Sequence, residues 1–113
     1  MKTIVITGAT GFIGVHLLQQ LYTDDCVIYA VVRNGSPNRA RLTAFPKVKT
    51  VCCDMEALSQ LRNLLPKHID VFYHLAWEGT RRPQRDDEAL QRKNYLEAIQ
   101  AYEIAKEKGC REE

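Results

Sequence analysis

Hydrophobic and polar positions follow two alternating periods along the chain, one typical of buried strands and one typical of amphipathic helices. Four apolar runs have the length of strands that are buried on both faces. These runs are Lys2–Thr7, Cys26–Val32, 48–53 and 69–76. The segments between them change to helical spacing or to turn-forming residues, so the pattern predicts four strands separated by helices.

Three of the predicted helices lie between these strands. The first should run from Phe12 to about 23–25, because apolar residues recur every four positions there: Ile13, Leu17 and Leu21. A short helix is predicted over 38–44. A third helix should end at Pro66, which cannot continue it. Its apolar positions are Leu58, Leu61 and Leu65.

The longest predicted helix follows a charged loop at 81–88 and ends at Gly109, which suits the position just after a helix C-terminus. We expect one broad apolar face of this helix to be buried. That face comprises Tyr95, Ala98, Ile99, Tyr102 and Ala105.

The alternation of strands and helices predicts the fold class. Right-handed crossovers between parallel strands place helices on both faces of the sheet. Four strands from the amino end of a doubly wound α/β fold take the spatial order 3-2-1-4. The prediction is therefore a partial Rossmann fold, with a parallel sheet of about four strands and no second domain.

Composition narrows the functional classes. The chain has 113 residues, a length typical of one domain, and 45% of its residues are hydrophobic, as in ordinary globular proteins. A formal net charge of +2 gives no indication of nucleic-acid binding. No apolar run is long enough to span a bilayer, and the N-terminal residues do not resemble a signal peptide. We therefore expect a cytoplasmic protein with no membrane or nucleic-acid partner.

The cysteines give no indication of a metal or redox site. Cys26, Cys52, Cys53 and Cys110 contain no Cys-x-x-Cys pair. The first three lie in strand-like apolar runs, so we interpret them as small buried hydrophobic side chains in a reducing compartment. We therefore predict no metal ligands.

A glycine-rich loop joins the first strand to the first helix and is the strongest functional signal. Gly8 permits a tight turn, Gly11 allows phosphates to approach the backbone, and Gly14 allows the helix to pack closely. The helix N-terminus offers unpaired N–H groups and a partial positive charge to a diphosphate. The alternative is a glycine turn that serves packing alone.

The loop sequence Thr-Gly-Ala-Thr-Gly-Phe-Ile-Gly at 7–14 resembles the cofactor fingerprint of extended short-chain dehydrogenases/reductases, also called the NAD-dependent epimerase/dehydratase family. Asp54 is similar to the family's adenine-contacting aspartate, with Leu61 seven residues later. The segment 74–76 resembles its His-x-Ala-Ala motif, with Trp77 in place of the second alanine, and Asn94 resembles its structural asparagine.

The resemblance implies a dinucleotide site with no catalytic residue of its own among these 113 positions. Its implied cofactor-binding residues are Gly8, Thr10, Gly11, Phe12, Ile13, Gly14, Arg33, Asp54, Met55, Leu75, Ala76 and Trp77.

The residue after the second strand indicates which dinucleotide is preferred. NAD sites hold the ribose 2′-hydroxyl with an acidic residue about 20 positions after the loop. Here Arg33 lies nineteen residues after Gly14, and no acidic residue occurs between Asp25 and Asp54. A guanidinium suits a 2′-phosphate, and further arginines follow at 39 and 41. We therefore predict NADP(H), with NAD as the less favoured alternative; the other interpretation is that Arg33 is simply an exposed loop residue.

Three further features allow a catalytic or substrate-binding interpretation, and each has a simpler alternative. Tyr102 and Lys106 match the Tyr-x-x-x-Lys pattern of the family's catalytic pair, but they lie in the helix after the fourth strand, where we expect Tyr102 to pack in the core. His74 could act as a base, although the resemblance implies a structural role. Arginines at 81, 82 and 85 could bind a substrate phosphate or form a solvated face.

Residues 109–111 resemble the turn that precedes the family's fifth strand. The resemblance then implies that this chain is the N-terminal, NADP(H)-binding part of an oxidoreductase similar to nucleotide-sugar epimerases, dehydratases and reductases, and inactive by itself. The fourth strand would leave a sheet edge open to self-association. The alternative function is a non-catalytic dinucleotide-binding module with a sensing or regulatory role.

Overall fold

The computed structural model describes residues 2–23, 25–33, 39–54, 58, 60–76 and 87–110. The strands are β1 (Lys2–Thr7), β2 (Cys26–Val32), β3 (Lys49–Cys52) and β4 (Val71–His74). The α-helices are α1 (Phe12–Leu21), α2 (Leu61–Leu64) and α3 (Glu88–Glu107), and a 3₁₀ helix spans Arg39–Ala44. Met55, Trp77 and the three arginines at 81, 82 and 85 lie outside the described residues.

The four strands form one parallel sheet in the order β3-β2-β1-β4, which confirms the predicted fold class. At the carboxyl end of the sheet, Thr7 is in register with Val31 on one side and with His74 on the other. Val32 is likewise in register with Cys52. All four strands therefore end along one edge, where ligands of open α/β sheets bind.

Both faces of the sheet are covered, which explains why the strands are apolar at successive positions instead of alternating with polar residues. Val5 belongs to a core cluster with α2 and α3. Ile4 and Ile6 point to the opposite face and belong to a second cluster with α1 and the 3₁₀ helix. These three side chains are at most 2% exposed.

The apolar face of α1 is centred one position away from the predicted one. Leu18 is completely buried and Gly14 is buried, whereas Leu17 and Leu21 are only half-buried. Ile13 is 69% exposed, so its predicted place on the buried face is wrong. The first turn of α1 lies so close to the Gly8–Ala9 backbone that a glycine occupies position 14, and Ile13 lies to one side.

The buried face of α3 also differs from the prediction. Tyr95, Ile99 and Tyr102 are 60%, 37% and 47% exposed, so the expectation that Tyr102 packs in the core is wrong. The residues that face the sheet are Asn94, Glu97, Ala101, Ile104 and Ala105. Small alanines let α3 approach the sheet closely, and the aromatic stripe beside them remains outside.

Both ends of α3 are defined by side-chain and glycine caps. The Asp87 carboxylate accepts a hydrogen bond from the Leu90 N–H, 3.1 Å away. At the other end Gly109 has φ +80°, and the Cys110 N–H donates to the carbonyl of Ala105. This pattern is a Schellman motif and confirms Gly109 as the residue after the helix.

The length of α2 and the burial of the cysteines agree with the predictions only in part. α2 is a single turn, although Leu58, Leu61 and Leu65 are all buried as expected. Cys53 is buried, whereas Cys26 and Cys52 are half-buried, and none of the four cysteines, all of which are described, forms a disulfide. Within the described part of the chain, no helix is long and apolar enough to cross a membrane.

Candidate functional site

The loop between β1 and α1 turns sharply at Gly8, whose φ of +68° lies in the left-handed region that side chains with a Cβ disfavour. The Gly11 N–H donates to the Gly8 carbonyl oxygen, 3.1 Å away, and closes the turn. The Val15 N–H then donates to the Gly11 carbonyl, which is the first hydrogen bond of α1. The loop therefore leads directly into the N-terminus of α1.

Two of the three glycines are required by close backbone contacts. A Cβ on Gly8 would lie 2.8 Å from the Ala76 nitrogen and 2.9 Å from the Leu75 carbonyl oxygen. A Cβ on Gly14 would lie 2.3 Å from the Gly8 carbonyl oxygen and 2.8 Å from the Ala9 Cα. The loop is thus held between the segment after β4 and the first turn of α1.

Gly11 is different, because its surroundings are open. Among the described atoms within 4 Å of an added Cβ, its nearest neighbour is the Gly8 carbonyl oxygen at 3.4 Å, an ordinary contact distance. Gly11 is also the N-cap of α1, has no side chain to cap the helix, and is exposed. The space above this glycine is therefore accessible to a group that approaches the backbone.

The first turn of α1 suits an anion. The N–H groups of residues 12–14 have no partner within the helix, and no acidic residue occupies the first turn. The aligned peptide dipoles add a partial positive charge at the same place. A diphosphate fits this combination of open space, unpaired donors and favourable potential.

A hydroxyl connects the ends of β1 and β4. The Thr7 Oγ1 lies 3.1 Å from the Leu75 nitrogen and 3.3 Å from the Ala76 nitrogen, so both amides donate to it. It also lies 2.8 Å from the His74 Nδ1. Because Gly8 packs against the same Leu75–Ala76 backbone, this hydroxyl holds the surface on which the glycine turn rests.

His74 lies in a partly dry environment. Its Nε2 is buried and has no hydrogen-bond partner among the residues that the structure describes. Burial lowers the pKa of the ring below the ordinary value of 6.5. The imidazole is therefore neutral at physiological pH.

Two arginines bring positive charge to the glycine-loop side of this edge. Arg33 follows β2 immediately and is exposed. The Arg41 Nη1, from the 3₁₀ helix, donates a hydrogen bond to the carbonyl oxygen of Thr10 at 2.9 Å. That contact places a guanidinium directly beside the glycine loop.

The end of β3 contributes Asp54, which is half-buried and two residues beyond the strand. Its charge adds to burial in raising the pKa of the neighbouring Cys53 thiol, burial being the larger cause. The thiol is therefore un-ionised at neutral pH and is not a reactive nucleophile.

The structure brings together part of the predicted site. Gly8 and Gly14 meet within the loop, and Leu75 and Ala76 lie against Gly8. Arg33 and Asp54 lie at the same edge of the sheet, after neighbouring strands. Ile13 is exposed at the first turn of α1 and Phe12 begins that helix, whereas Met55 and Trp77 lie outside the described residues.

Sequence reasoning missed the roles of two residues. Arg41 was only one of several nearby cations, and its contact with Thr10 spans 31 positions of the sequence. Thr7 lies within the predicted fingerprint, but only the hydrogen bonds across β1 and β4 reveal what its hydroxyl does. A polar residue at the end of an otherwise apolar strand was the available signal.

Comparison with known proteins agrees with this architecture. The sequence profile of the NAD dependent epimerase/dehydratase family matches residues 4–112. A dTDP-4-dehydro-6-deoxy-D-allose reductase from Streptomyces bikiniensis is 32% identical over 79 residues, which are 66% of this chain and 24% of that protein. The chain therefore spans about a quarter of the length of this curated relative.

Solved structures share the fold. The UDP-Glc/GlcNAc 4-epimerase from Campylobacter jejuni superposes with a TM-score of 0.80 at 22% identity, covering 96% of this chain and 35% of the epimerase. Gre2 from Candida albicans, solved in complex with NADPH, gives a TM-score of 0.71 at 21% identity, covering 93% of this chain and 34% of Gre2.

Proposed function

The chain belongs to the NAD-dependent epimerase/dehydratase family, and we propose that it is the NADP(H)-binding part of an oxidoreductase of that family. The observation that carries the proposal is the uncapped N-terminus of α1, behind a loop held by Gly8 and Gly14, with the Arg41 guanidinium hydrogen-bonded to that loop. A dinucleotide diphosphate would bind over Gly11, where the backbone is open.

The preference for NADP(H) over NAD(H) rests on charge. Arg33 is exposed directly after β2, and Arg41 lies beside the loop that precedes α1. Both guanidinium groups would lie near the adenosine ribose, where a 2′-phosphate carries up to two negative charges. No acidic residue occurs between β2 and Asp54 to hold a 2′-hydroxyl or to repel that phosphate.

The other proposed contacts follow the order of strands in the sheet. Thr10, Phe12 and Ile13 would contact the diphosphate through the loop and the first helical turn. Asp54 and Met55 would lie beside the adenine, and Leu75, Ala76 and Trp77 would lie beside the nicotinamide half. These contacts are proposed from positions in the sequence and the fold.

The reaction proposed for a longer parent protein is hydride transfer with a nucleotide-sugar substrate. When bound, the nicotinamide supplies the hydride chemistry, and the protein binds and orients it. In this proposal the described residues bind and orient the cofactor. Tyr102 lies exposed on α3, and its four-residue spacing to Lys106 follows from helical geometry. We therefore propose that residues 1–113 form an N-terminal binding part that does not turn over substrate alone.

The experiment is a titration of the purified 113-residue chain with NADPH and NADH, followed by cofactor fluorescence. We expect saturable binding with the lower dissociation constant for NADPH. Arg33→Ala should raise the NADPH constant about tenfold to a hundredfold, since a hydrogen bond to a charged group contributes about 1.5–3 kcal/mol. Arg92→Ala, at an exposed position on α3, is the matched control. Absence of NADPH binding would refute the proposal, and equal constants for the two cofactors would refute the NADP preference.

A further inference from the structure

Three groups surround the Thr7 hydroxyl, and counting their donors and acceptors fixes the proton on His74. The amides of Leu75 and Ala76 can only donate, so they occupy both lone pairs of the Thr7 Oγ1. The hydroxyl keeps one proton, and the remaining neighbour is the His74 Nδ1 at 2.8 Å. That nitrogen must therefore accept, which leaves the ring proton on Nε2.

A second proton on the ring would disturb this arrangement. Protonated Nδ1 would be a donor facing an oxygen whose two lone pairs are already used. To accept from it, the Thr7 oxygen would have to release one of the two amides. The Leu75 N–H also donates to the Thr7 carbonyl oxygen at 3.2 Å, so the hydrogen bond at risk is the one from Ala76, and losing it is unfavourable. Since the space between Gly8 and that backbone is too small even for a Cβ, which would lie 2.8 Å from the Ala76 nitrogen, a shift of the backbone would change the glycine turn.

No charged side chain among the described residues contributes to the shift in the pKa of the His74 ring. From β1 the facing group is the uncharged Thr7 hydroxyl. On α3, which covers β4, the buried ionisable side chain is Glu97, and its Oε1 lies 3.9 Å from the Lys93 Nζ. Burial alone accounts for the lowered pKa of the ring.

From this geometry we infer that His74 is a positioning residue, and that proton binding to its ring opposes dinucleotide binding. The neutral ring keeps the Thr7 hydroxyl hydrogen-bonded to both amides, and these hydrogen bonds hold the Leu75–Ala76 backbone in place against Gly8. The inference rests on the proposed function, because it concerns the same cofactor site. It extends that function by making cofactor affinity depend on pH through a residue that does not touch the cofactor.

Linkage fixes the direction of the effect. If protonation weakens dinucleotide binding, bound dinucleotide must lower the pKa of the ring by the same coupling free energy. Affinity should then be highest above pH 6.5 and fall as the pH decreases through the pKa of the folded protein. A typical coupling corresponds to at least about a fivefold change in affinity.

The test measures the NADPH dissociation constant between pH 5 and pH 8 for three proteins: wild type, His74→Asn and His68→Asn. Asparagine at 74 supplies an oxygen that can accept from Thr7 and does not titrate. His68 is an exposed histidine next to Asp70, at the opposite end of β4. Ionisation of the cofactor's own phosphates affects all three proteins equally and cancels in the comparison.

We expect affinity to fall more than about fivefold toward acid pH in wild type and His68→Asn, relative to His74→Asn. The same pH dependence in all three proteins would overturn this inference and leave the proposed function standing. No NADPH binding by wild type at pH 8 would overturn both.

Wild type alone provides a second test, which covers the case that His74→Asn does not fold. The pKa of the His74 ring is measured by NMR with and without saturating NADPH. We expect the bound cofactor to lower it, with the Leu75 and Ala76 amide signals following the same titration. An unchanged ring pKa would overturn the inference.

Discussion

The Arg41 guanidinium donates a hydrogen bond to the Thr10 carbonyl oxygen over 2.9 Å and thereby joins the 3₁₀ helix to the glycine loop. The contact aligns the segment after β2 with the loop after β1, the two segments between which the adenosine ribose would lie. It also orients the guanidinium while leaving further N–H donors for a ligand, since guanidinium carries five.

The first prediction concerns Arg41. Arg41→Ala should weaken NADPH binding more than NADH binding, because it removes both a charge near the 2′-phosphate and the hydrogen bond to Thr10. Arg41→Lys keeps the charge without the forked geometry and should give an intermediate result. Isothermal titration with both cofactors measures the difference. An equal loss for NADPH and NADH would mean that Arg41 acts only through the shape of the loop.

The second prediction separates packing from ligand binding within the loop. Gly14→Ala puts a Cβ 2.3 Å from the Gly8 carbonyl oxygen, so it should lower the free energy of unfolding by about 1–3 kcal/mol. Gly11→Ala meets its nearest neighbour at 3.4 Å and should cost less than about 1 kcal/mol. Urea denaturation measures both.

Gly11→Ala should have the larger effect on NADPH binding, although Gly14→Ala has the larger effect on stability. Gly11→Ala should abolish most NADPH affinity in a folded protein, because its methyl group occupies the space through which the diphosphate would approach. If Gly11→Ala binds NADPH as wild type does, the diphosphate does not lie over Gly11.

The strands and their order were predictable because apolar runs of strand length have few alternatives in an α/β chain, and the right-handed crossover rule then limits the order. The rotation of α3 was not predictable, because the helix carries two apolar stripes. One contains Ala101 and Ile104, and the other contains Tyr95 and Tyr102. Which stripe is buried depends on how closely the helix approaches the sheet, and the small alanine side chains decide that.

The candidate site likewise has a part that the sequence predicts and a part that it does not. The glycine spacing predicts the loop and the helix N-terminus, since local backbone geometry alone requires it. The contact between Arg41 and Thr10 depends on how the segment after β2 folds back, and the Thr7 network depends on the pairing of β1 with β4. Both are tertiary relationships that a local pattern does not contain.

The third prediction concerns self-association. Tyr95, Ile99 and Tyr102 are exposed on one flank of α3, while Glu107 on the opposite flank lies 3.6 Å from Arg62 of α2. β4 is the last strand of the sheet in the described order. An exposed apolar stripe and a terminal strand both favour association.

We therefore expect the sedimentation coefficient of the chain to rise with concentration, and Ile99→Lys to suppress that rise without lowering the melting temperature. Ala101→Lys is the contrasting variant, because residue 101 is 2% exposed and a lysine there should unfold the protein. A chain that sediments as a monomer at every concentration would contradict the prediction.

The fourth prediction concerns Asp70, which ties the amino ends of β1 and β4 together. Its Oδ2 accepts from the Thr3 N–H at 2.7 Å, and its own N–H donates to the Thr3 carbonyl. Two hydrogen bonds lower the pKa of this carboxyl below 3.8. The bond from the Thr3 N–H is the largest cause, and the bond with His68 is the next. The charged form is therefore stabilised in the folded state, and this contribution is complete well above pH 3.8.

As the pH falls from about 5 through the lowered pKa, the unfolded chain takes up the proton first, so stability should decrease across that window. Asp70→Asn keeps the side-chain shape but not the charge, and it should be less stable than wild type at pH 7 and nearly equal to it at the acid end. Urea denaturation at a series of pH values measures the two curves, with Asp25→Asn as an exposed control that should follow wild type. Parallel curves for Asp70→Asn and wild type would mean that the carboxylate charge adds nothing to the Thr3 hydrogen bond.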